Sequence, residues 1–200
     1  MRARDNPFST SRVLKLRYRL PPDGMESLLS RLEQLRFHAA IVGPHGSGKT
    51  TLMQDLTPGL RARGFSVHYH HLGETRRRID PEWRSDLAAR VGPGDCLLLD
   101  GAEQLSSWDW WRFRRQFRRA GGMVLTTHGP GRLPTLATCK TSPGLLAELL
   151  RCLVSWPEEE IQSVAETFHA RHQGNIRDAL RALYDQEARM GTEPCGPRTA

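Results

Sequence analysis

The chain alternates short apolar runs with longer segments in which apolar residues recur every three or four positions. Residues 37–42 form one short run, polar at its start. Residues 96–100 run Cys96, Leu97, Leu98 and Leu99 without a break before Asp100, and residues 123–127 are apolar until they end in two threonines. Continuous apolar strands of this kind belong to a parallel sheet covered on both faces. Between them lie helical spacings: Leu28, Leu29, Leu32 and Leu35 within 25–36, and Leu52, Met53, Leu56 and Leu60 within 49–63, which Gly64 stops. Residues 81–90 read as a helix with Asp80 as its N-cap and Pro81 at its first position. A helix over 107–120 is closed by Gly121-Gly122. Ser142-Pro143 opens a helix to about Leu153, Pro157 opens another to about His172, and Gly174 precedes a third that reaches about Met190. Residues 65–72 alternate like a strand, and 133–140 supply a last one. Residues 12–20 also alternate and are expected to form an edge strand with even-numbered residues inward. Strands alternating with helices predict a three-layer α/β/α domain with a mostly parallel sheet, followed by a small helical piece.

Chemistry enters at Gly43-Pro44-His45-Gly46-Ser47-Gly48-Lys49-Thr50-Thr51, between the first apolar strand and its helix. It fits G-x-x-x-x-G-K-[ST], a cradle for nucleotide phosphates, in the strand–loop–helix context that the motif requires. Glycines let backbone N–H groups turn inward around a polyphosphate. Lys49 is spaced to reach the β- and γ-phosphates, the Thr50 hydroxyl to ligate Mg²⁺, and the following helix adds its positive end. The chain has 29 basic residues, of which only Lys15, Lys49 and Lys140 are lysines. One of the three therefore stands where a compact ammonium is wanted. Asp100, at the end of a central strand, lies where α/β folds place their ligands and is the second expected Mg²⁺ ligand. To orient water, Glu103 is the first candidate and Glu74 the second. The competing role for Glu103 is to sit in the first turn of the next helix and favour its dipole.

With these residues in place, the chain resembles the P-loop ATPases of the ASCE class that includes the AAA+ proteins, over about residues 37–184. The carriers are GPHGSGKTT, LLLDGAEQL, the polar strand end VLTTH at 124–128, and GNIRDAL at 174–180. The resemblance implies a P-loop NTPase fold, ATP and Mg²⁺ as cofactors, and hydrolysis. It further implies that Thr126 or Thr127 contacts the γ-phosphate or the attacking water, and that Arg177, in a short helical lid, reaches the phosphates. The domain boundaries expected on this basis are an N-terminal arm and edge strand at 1–24, a nucleotide-binding core at 25–155, a lid at 156–190 and a tail at 191–200. One departure bears on catalysis: the class usually places its catalytic acid directly after the Asp, where this chain has Gly101. Arg132 is the position offered for an interface arginine finger, and the ABC-transporter signature is absent.

The remaining signals bear on partners. A formal charge of +7 favours anionic ones. On the helix over 107–120, Trp110, Phe113, Phe117 and Ala120 share a face that reads as core, and Trp108, Trp111, Arg115 and Arg118 share roughly the opposite one. That second face is either covered, with its arginines reaching outward, or a protein or nucleic-acid contact. His68 and His70 share a strand face but lack a third metal ligand. His45 and His128 lie nearer the expected phosphates. Cys96, Cys139, Cys152 and Cys195 form no C-x-x-C pair, and buried free thiols are expected for the first three. No apolar run approaches a membrane span and no signal-type segment opens the sequence, so a cytoplasmic location is expected. Three functions stay open: a slow ATPase that couples nucleotide state to a macromolecular partner, with homo-oligomerisation possible; a non-hydrolytic nucleotide-dependent switch or scaffold; and a small-molecule or nucleoside kinase whose acceptor charge meets Arg76-Arg77-Arg78.

Overall fold

The computed structural model describes residues 6–16, 18, 20, 24–73 and 79–190. Two compact units emerge. One holds Tyr18–Pro44 and Gly48–Cys139; the other holds the described residues before Tyr18, the loop residues His45–Ser47, and those from Lys140 onward.

The first unit is built on five parallel strands, β1 (His38–Val42), β2 (Ser66–His71), β3 (Asp95–Asp100), β4 (Gly122–Thr127) and β5 (Thr135–Thr138), in the order β2-β3-β4-β1-β5. Side chains of the central strands alternate between two cores, as strand pleating requires. Ala40, Val42, Leu97, Leu99, Met123 and Leu125 face one side and pack with Leu87 of α4 (Pro81–Arg90) and Phe113 of α5 (Ser107–Gln116). Ala39, Ile41, Cys96, Leu98 and Val124 face the other. They meet Leu29 and Leu32 of α2 (Gly24–Gln34) and Leu52, Met53, Leu56 and Leu60 of α3 (Lys49–Ala62). The sheet is thus covered on both faces, and the uninterrupted apolar runs of β3 and β4 follow from it. Asp80 caps α4 as expected, its carboxylate accepting from the backbone N–H groups of Glu82 (2.9 Å) and Trp83 (3.4 Å).

The second unit packs α6 (Pro143–Leu153), α7 (Glu158–Arg171) and α8 (Ile176–Met190) around Phe8, Leu146, Leu150, Ile161, Phe168, Ile176 and Leu183. The amide of Asn6 donates to the Tyr184 carbonyl oxygen at 2.9 Å, which fixes the start of the described chain to α8.

Three expectations fail here. The stretch 12–20 forms no strand among its described residues; instead a short helix, α1 (Thr10–Val13), takes in its first two residues and Leu14 is 76 % exposed. Its apolar residues divide between the units, Val13 and Leu16 packing with the helical core and Tyr18 and Leu20 with the α2–α3 side of the sheet. The helix expected to run to Ala120 ends at Gln116, with Phe117 as its C-cap. Cys96 and Cys139 are buried free thiols, but Cys152 is exposed on α6. Burial pushes the Cys96 thiol up to about 12.

Candidate nucleotide site

At the end of β1 the chain turns through the glycine loop into α3. Gly46 and Gly48 both hold positive φ, 69° and 84°, and Gly48 caps the helix. Gly46 has a second reason to lack a side chain, since a Cβ there would run into the Asn175 side-chain oxygen and sit 3.1 Å from the Arg177 backbone nitrogen. Asn175 in turn accepts from the Asp178 N–H at 3.2 Å and so caps the first turn of α8. Within the helical unit, the middle of the loop and the start of α8 are therefore in contact. Arg177 is exposed in that turn.

The Lys49 side chain is buried, and its ammonium donates to the carbonyl oxygens of Gly43 (2.7 Å) and Pro44 (2.8 Å). These bonds hold the cation along the inner edge of the loop. Pro44 and His45 are exposed, Ser47 is buried, and Thr51 lies half-buried in the first turn of α3. Backbone N–H groups of that turn have no partner within the helix, which makes the position favourable for an anion.

The Thr50 hydroxyl donates to Asp100, 3.0 Å from Oδ2 and 3.2 Å from Oδ1, so the two residues paired from sequence as Mg²⁺ ligands stand together. Two oxygens on adjacent corners of a Mg²⁺ octahedron, with bonds of about 2.1 Å, lie about 3 Å apart. The pair fits such an ion. Asp100 is itself densely bonded: Thr126 donates to Oδ1 at 2.7 Å, Tyr69 donates to Oδ2 at 2.9 Å, and the His71 Nδ1 lies 3.0 Å from Oδ2. Burial works against the charge of Asp100, but the hydrogen bonds from Thr126, Tyr69, His71 and Thr50 outweigh it and hold the carboxyl below its ordinary value.

Tyr69 and His71 were not singled out from sequence. They share one face of β2, His71 stands opposite Asp100 in the register, and the histidines noted beforehand, His68 and His70, point the other way. His68 instead pairs with Asp95 at 2.7 Å, and the His70 ring lies 4.4 Å from that of Trp83. Among the described residues no group of three His, Cys, Asp or Glu side chains could hold a metal ion. Tyr18, also unanticipated, lies so close to Gly48 that a Cβ there would be 3.0 Å from its ring.

Gly101 has a steric reason to carry no side chain. Its φ is 84°, and a Cβ would overlap the Leu72 carbonyl oxygen while lying 3.2 Å from the carbonyl carbon. No side chain, acidic or otherwise, fits directly after Asp100 without moving β2. The carboxylate arrives two residues later, in the 3₁₀ turn Ala102–Gln104 that precedes α5 rather than within that helix. There Glu103 Oε1 lies 3.2 Å from Nε2 of His128, just beyond β4, while Oε2 is buried without a hydrogen-bond partner. Thr126 and Thr127 are both buried at the end of β4. Thr126 binds Asp100 and accepts from the Gly101 N–H (2.8 Å), whereas Thr127 donates to the Gly129 carbonyl oxygen (3.0 Å). Arg132 turns inward, donating to the Leu105 carbonyl oxygen (2.6 Å) with its guanidinium 5.5 Å from the Trp110 ring centroid. That anchoring is not the posture of an arginine reaching into a neighbouring subunit. Glu74 and Arg76-Arg77-Arg78 lie outside the described residues.

Among solved structures, two variants of Thermotoga maritima RuvB match with TM-scores of 0.55 and 0.54. Each is 18 % identical, and the match covers 82 % of this chain and 61 % of that one. The fold is that of a P-loop NTPase. No family model matches the chain, and no curated protein matches it. Within this P-loop fold the order β3-β4-β1 sets β4 between the strand carrying Asp100 and the strand feeding the loop, which is why Thr126 can bridge to Asp100. No described helix is long and apolar enough to cross a membrane.

Proposed function

We propose that the chain binds ATP with Mg²⁺ in the loop Gly43–Thr51 and hydrolyses it slowly, with Glu103 as the group that takes the proton from water. The observation that carries this reading is the 3.0 Å contact between the Thr50 hydroxyl and the Asp100 carboxylate, which joins the two halves of a phosphate–metal site from residues 50 positions apart. Lys49 and the loop amides bind the phosphates. When bound, Mg²⁺ neutralises charge on their oxygens. Water attacks the γ-phosphorus as the bond to the β–γ bridging oxygen breaks, and its proton passes to Glu103, which His128 orients. The buried, unpartnered Oε2 of Glu103 supports that role, because an acceptor so placed gains most from a water. Thr127 and Arg177 are assigned to the γ-phosphate by resemblance.

A second reading, a switch that binds nucleotide without turnover, is favoured by one observation: the Leu72 carbonyl excludes a carboxylate from position 101. Titration with a fluorescent ATP analogue and single-turnover phosphate release separate the two. On the first reading Lys49→Ala abolishes binding, while Glu103→Gln binds normally and loses turnover by about 100-fold or more. Tight binding by wild type with no phosphate release, unchanged by Glu103→Gln, establishes the switch instead. Absence of Mg²⁺-dependent binding by wild type overturns both.

A further inference from the structure

On the sheet face opposite α3, α4 and α5 enclose an open groove of about 500 Å³ whose walls carry Arg84, Arg112, Arg115, Arg118, Arg119 and Gln116. Arg112 and Arg115, three residues apart on one face of α5, and Arg118 and Arg119, in the turn that follows the helix, together form one wall of the groove. Arg84 lies across from it on α4. No ion pair among the described residues engages any of the five guanidiniums. The acids nearest in sequence are not paired with them: Asp109 bonds the Ser106 hydroxyl at 2.7 Å, and neither Glu82 nor Asp86 of α4 makes an ion pair with a groove arginine. Five like charges around one groove repel one another, and an anionic occupant relieves that repulsion.

The same helix carries an aromatic feature that phosphate binding alone does not call for. Trp108 and Trp111 are 66 % and 49 % exposed. Their rings stack on each other, with centroids 4.9 Å apart and planes 21° from parallel, and the Arg115 guanidinium lies 5.5 Å from the Trp111 centroid. Large apolar rings left in water beside a cationic groove form a platform for flat, unpaired bases, while the guanidiniums track the backbone that joins them. An acidic peptide would satisfy the charges but leave the indole stack unused, and a duplex would keep its bases inside its own stack.

We propose that the groove between α4 and α5, with the Trp108–Trp111 stack at its side, is a binding site for single-stranded nucleic acid. The site supplies the macromolecular partner that the sequence leads one to expect of a slow ATPase, and it rests on the function proposed above only for the coupling to nucleotide. Its test is therefore run without nucleotide, so that each can fail alone. Fluorescence anisotropy of a labelled oligothymidylate of about 16 nucleotides is followed with the full chain between about 50 and about 200 mM salt. Intrinsic tryptophan quenching on the wild type gives a reading that needs no substitution. Engaging three phosphates gives a slope of log K against log salt near −2, since each single-strand contact contributes about −0.7. Arg112→Ala/Arg115→Ala/Arg119→Ala removes that slope. Trp108→Ala/Trp111→Ala keeps it and weakens binding about 5- to 100-fold, as loss of base stacking does. Both variants alter exposed side chains, and circular dichroism checks that they remain folded. No binding at the lowest salt overturns the proposal. So does a duplex or polyglutamate of equal charge competing as well as the single strand, or a tryptophan variant that binds like wild type.

Discussion

Replacing Gly101 tests the account of why this site lacks an acid beside Asp100. Gly101→Ala adds one carbon to a residue whose φ is 84°, a region that costs a non-glycine residue about 1–2 kcal/mol. The added carbon overlaps the Leu72 carbonyl oxygen, and Leu72 also extends the pairing of β2 with β3 by donating its N–H to the Asp100 carbonyl oxygen at 2.8 Å. Backbone rather than a flexible side-chain end must yield, and overpacking of this kind costs about 1–3 kcal/mol. The sum is about 2–5 kcal/mol. In a domain of this size each kcal/mol lowers the melting temperature by about 2–4 °C, so thermal unfolding followed by circular dichroism shows a fall of about 4–20 °C. Gly101→Glu, which restores the order usual in the class, falls at least as far and gains no hydrolysis. A Gly101→Ala protein that melts within a degree or two of wild type refutes the argument: the acid would then be absent from position 101 for some reason other than the Leu72 carbonyl.

Asp100→Asn removes a charge held by four hydrogen-bonding partners, and loss of the charged acceptor is expected to cost about 1–3 kcal/mol at neutral pH, measured by urea unfolding. Because the folded carboxyl titrates below its ordinary value of about 3.9, its contribution is complete above that pH. It is lost as pH falls through the folded value, so the gap between wild type and variant closes in acid; a gap that persists unchanged at the acid end contradicts the assignment. His71→Ala and Tyr69→Phe each remove one bond to Asp100 and weaken Mg²⁺-dependent nucleotide binding several-fold, read by the same titration with and without Mg²⁺. In a Cys195→Ser background a thiol reagent labels Cys152 rapidly and leaves Cys96 and Cys139 unreacted until the protein unfolds, as mass spectrometry will show.

The parts of the site that the sequence made legible are those set by local chemistry. A glycine loop between an apolar strand and an amphipathic helix has few other uses, and Lys49 and Thr50 follow from the loop's own spacing. Asp100 was legible because its strand is buried on both faces, so the first polar residue marks the strand's end. What stayed hidden depends on register between strands. Nothing in Ser66–His71 read alone says that His71, rather than His68 or His70, will stand opposite Asp100; that needs the parallel pairing of β2 with β3. The stretch 12–20 misled for a related reason. Its alternation is genuine, but Leu16 and Tyr18, two residues apart, go to different cores, so the pattern never served one strand face.

Gly101 and Glu103 together make the central chemical argument. If the backbone after Asp100 must pass under the Leu72 carbonyl, a carboxylate can reach the site only from further along, and the 3₁₀ turn Ala102–Gln104 is the first segment with room for it. A group carried on a turn is less rigidly aimed than one on a strand, and on the proposed reading the His128 ring, 3.2 Å from Oε1, is what orients it. The consequence is specific to this chain. On the proposed reading the residue just beyond β4 orients the acid, and His128→Ala should lower turnover without weakening nucleotide binding, as far as a lost positioning bond allows, about tenfold to 100-fold. Full activity in His128→Ala, with Glu103→Gln inactive, would show that the turn alone aims the carboxylate; equal loss of binding and turnover would mean that the histidine serves the phosphates instead.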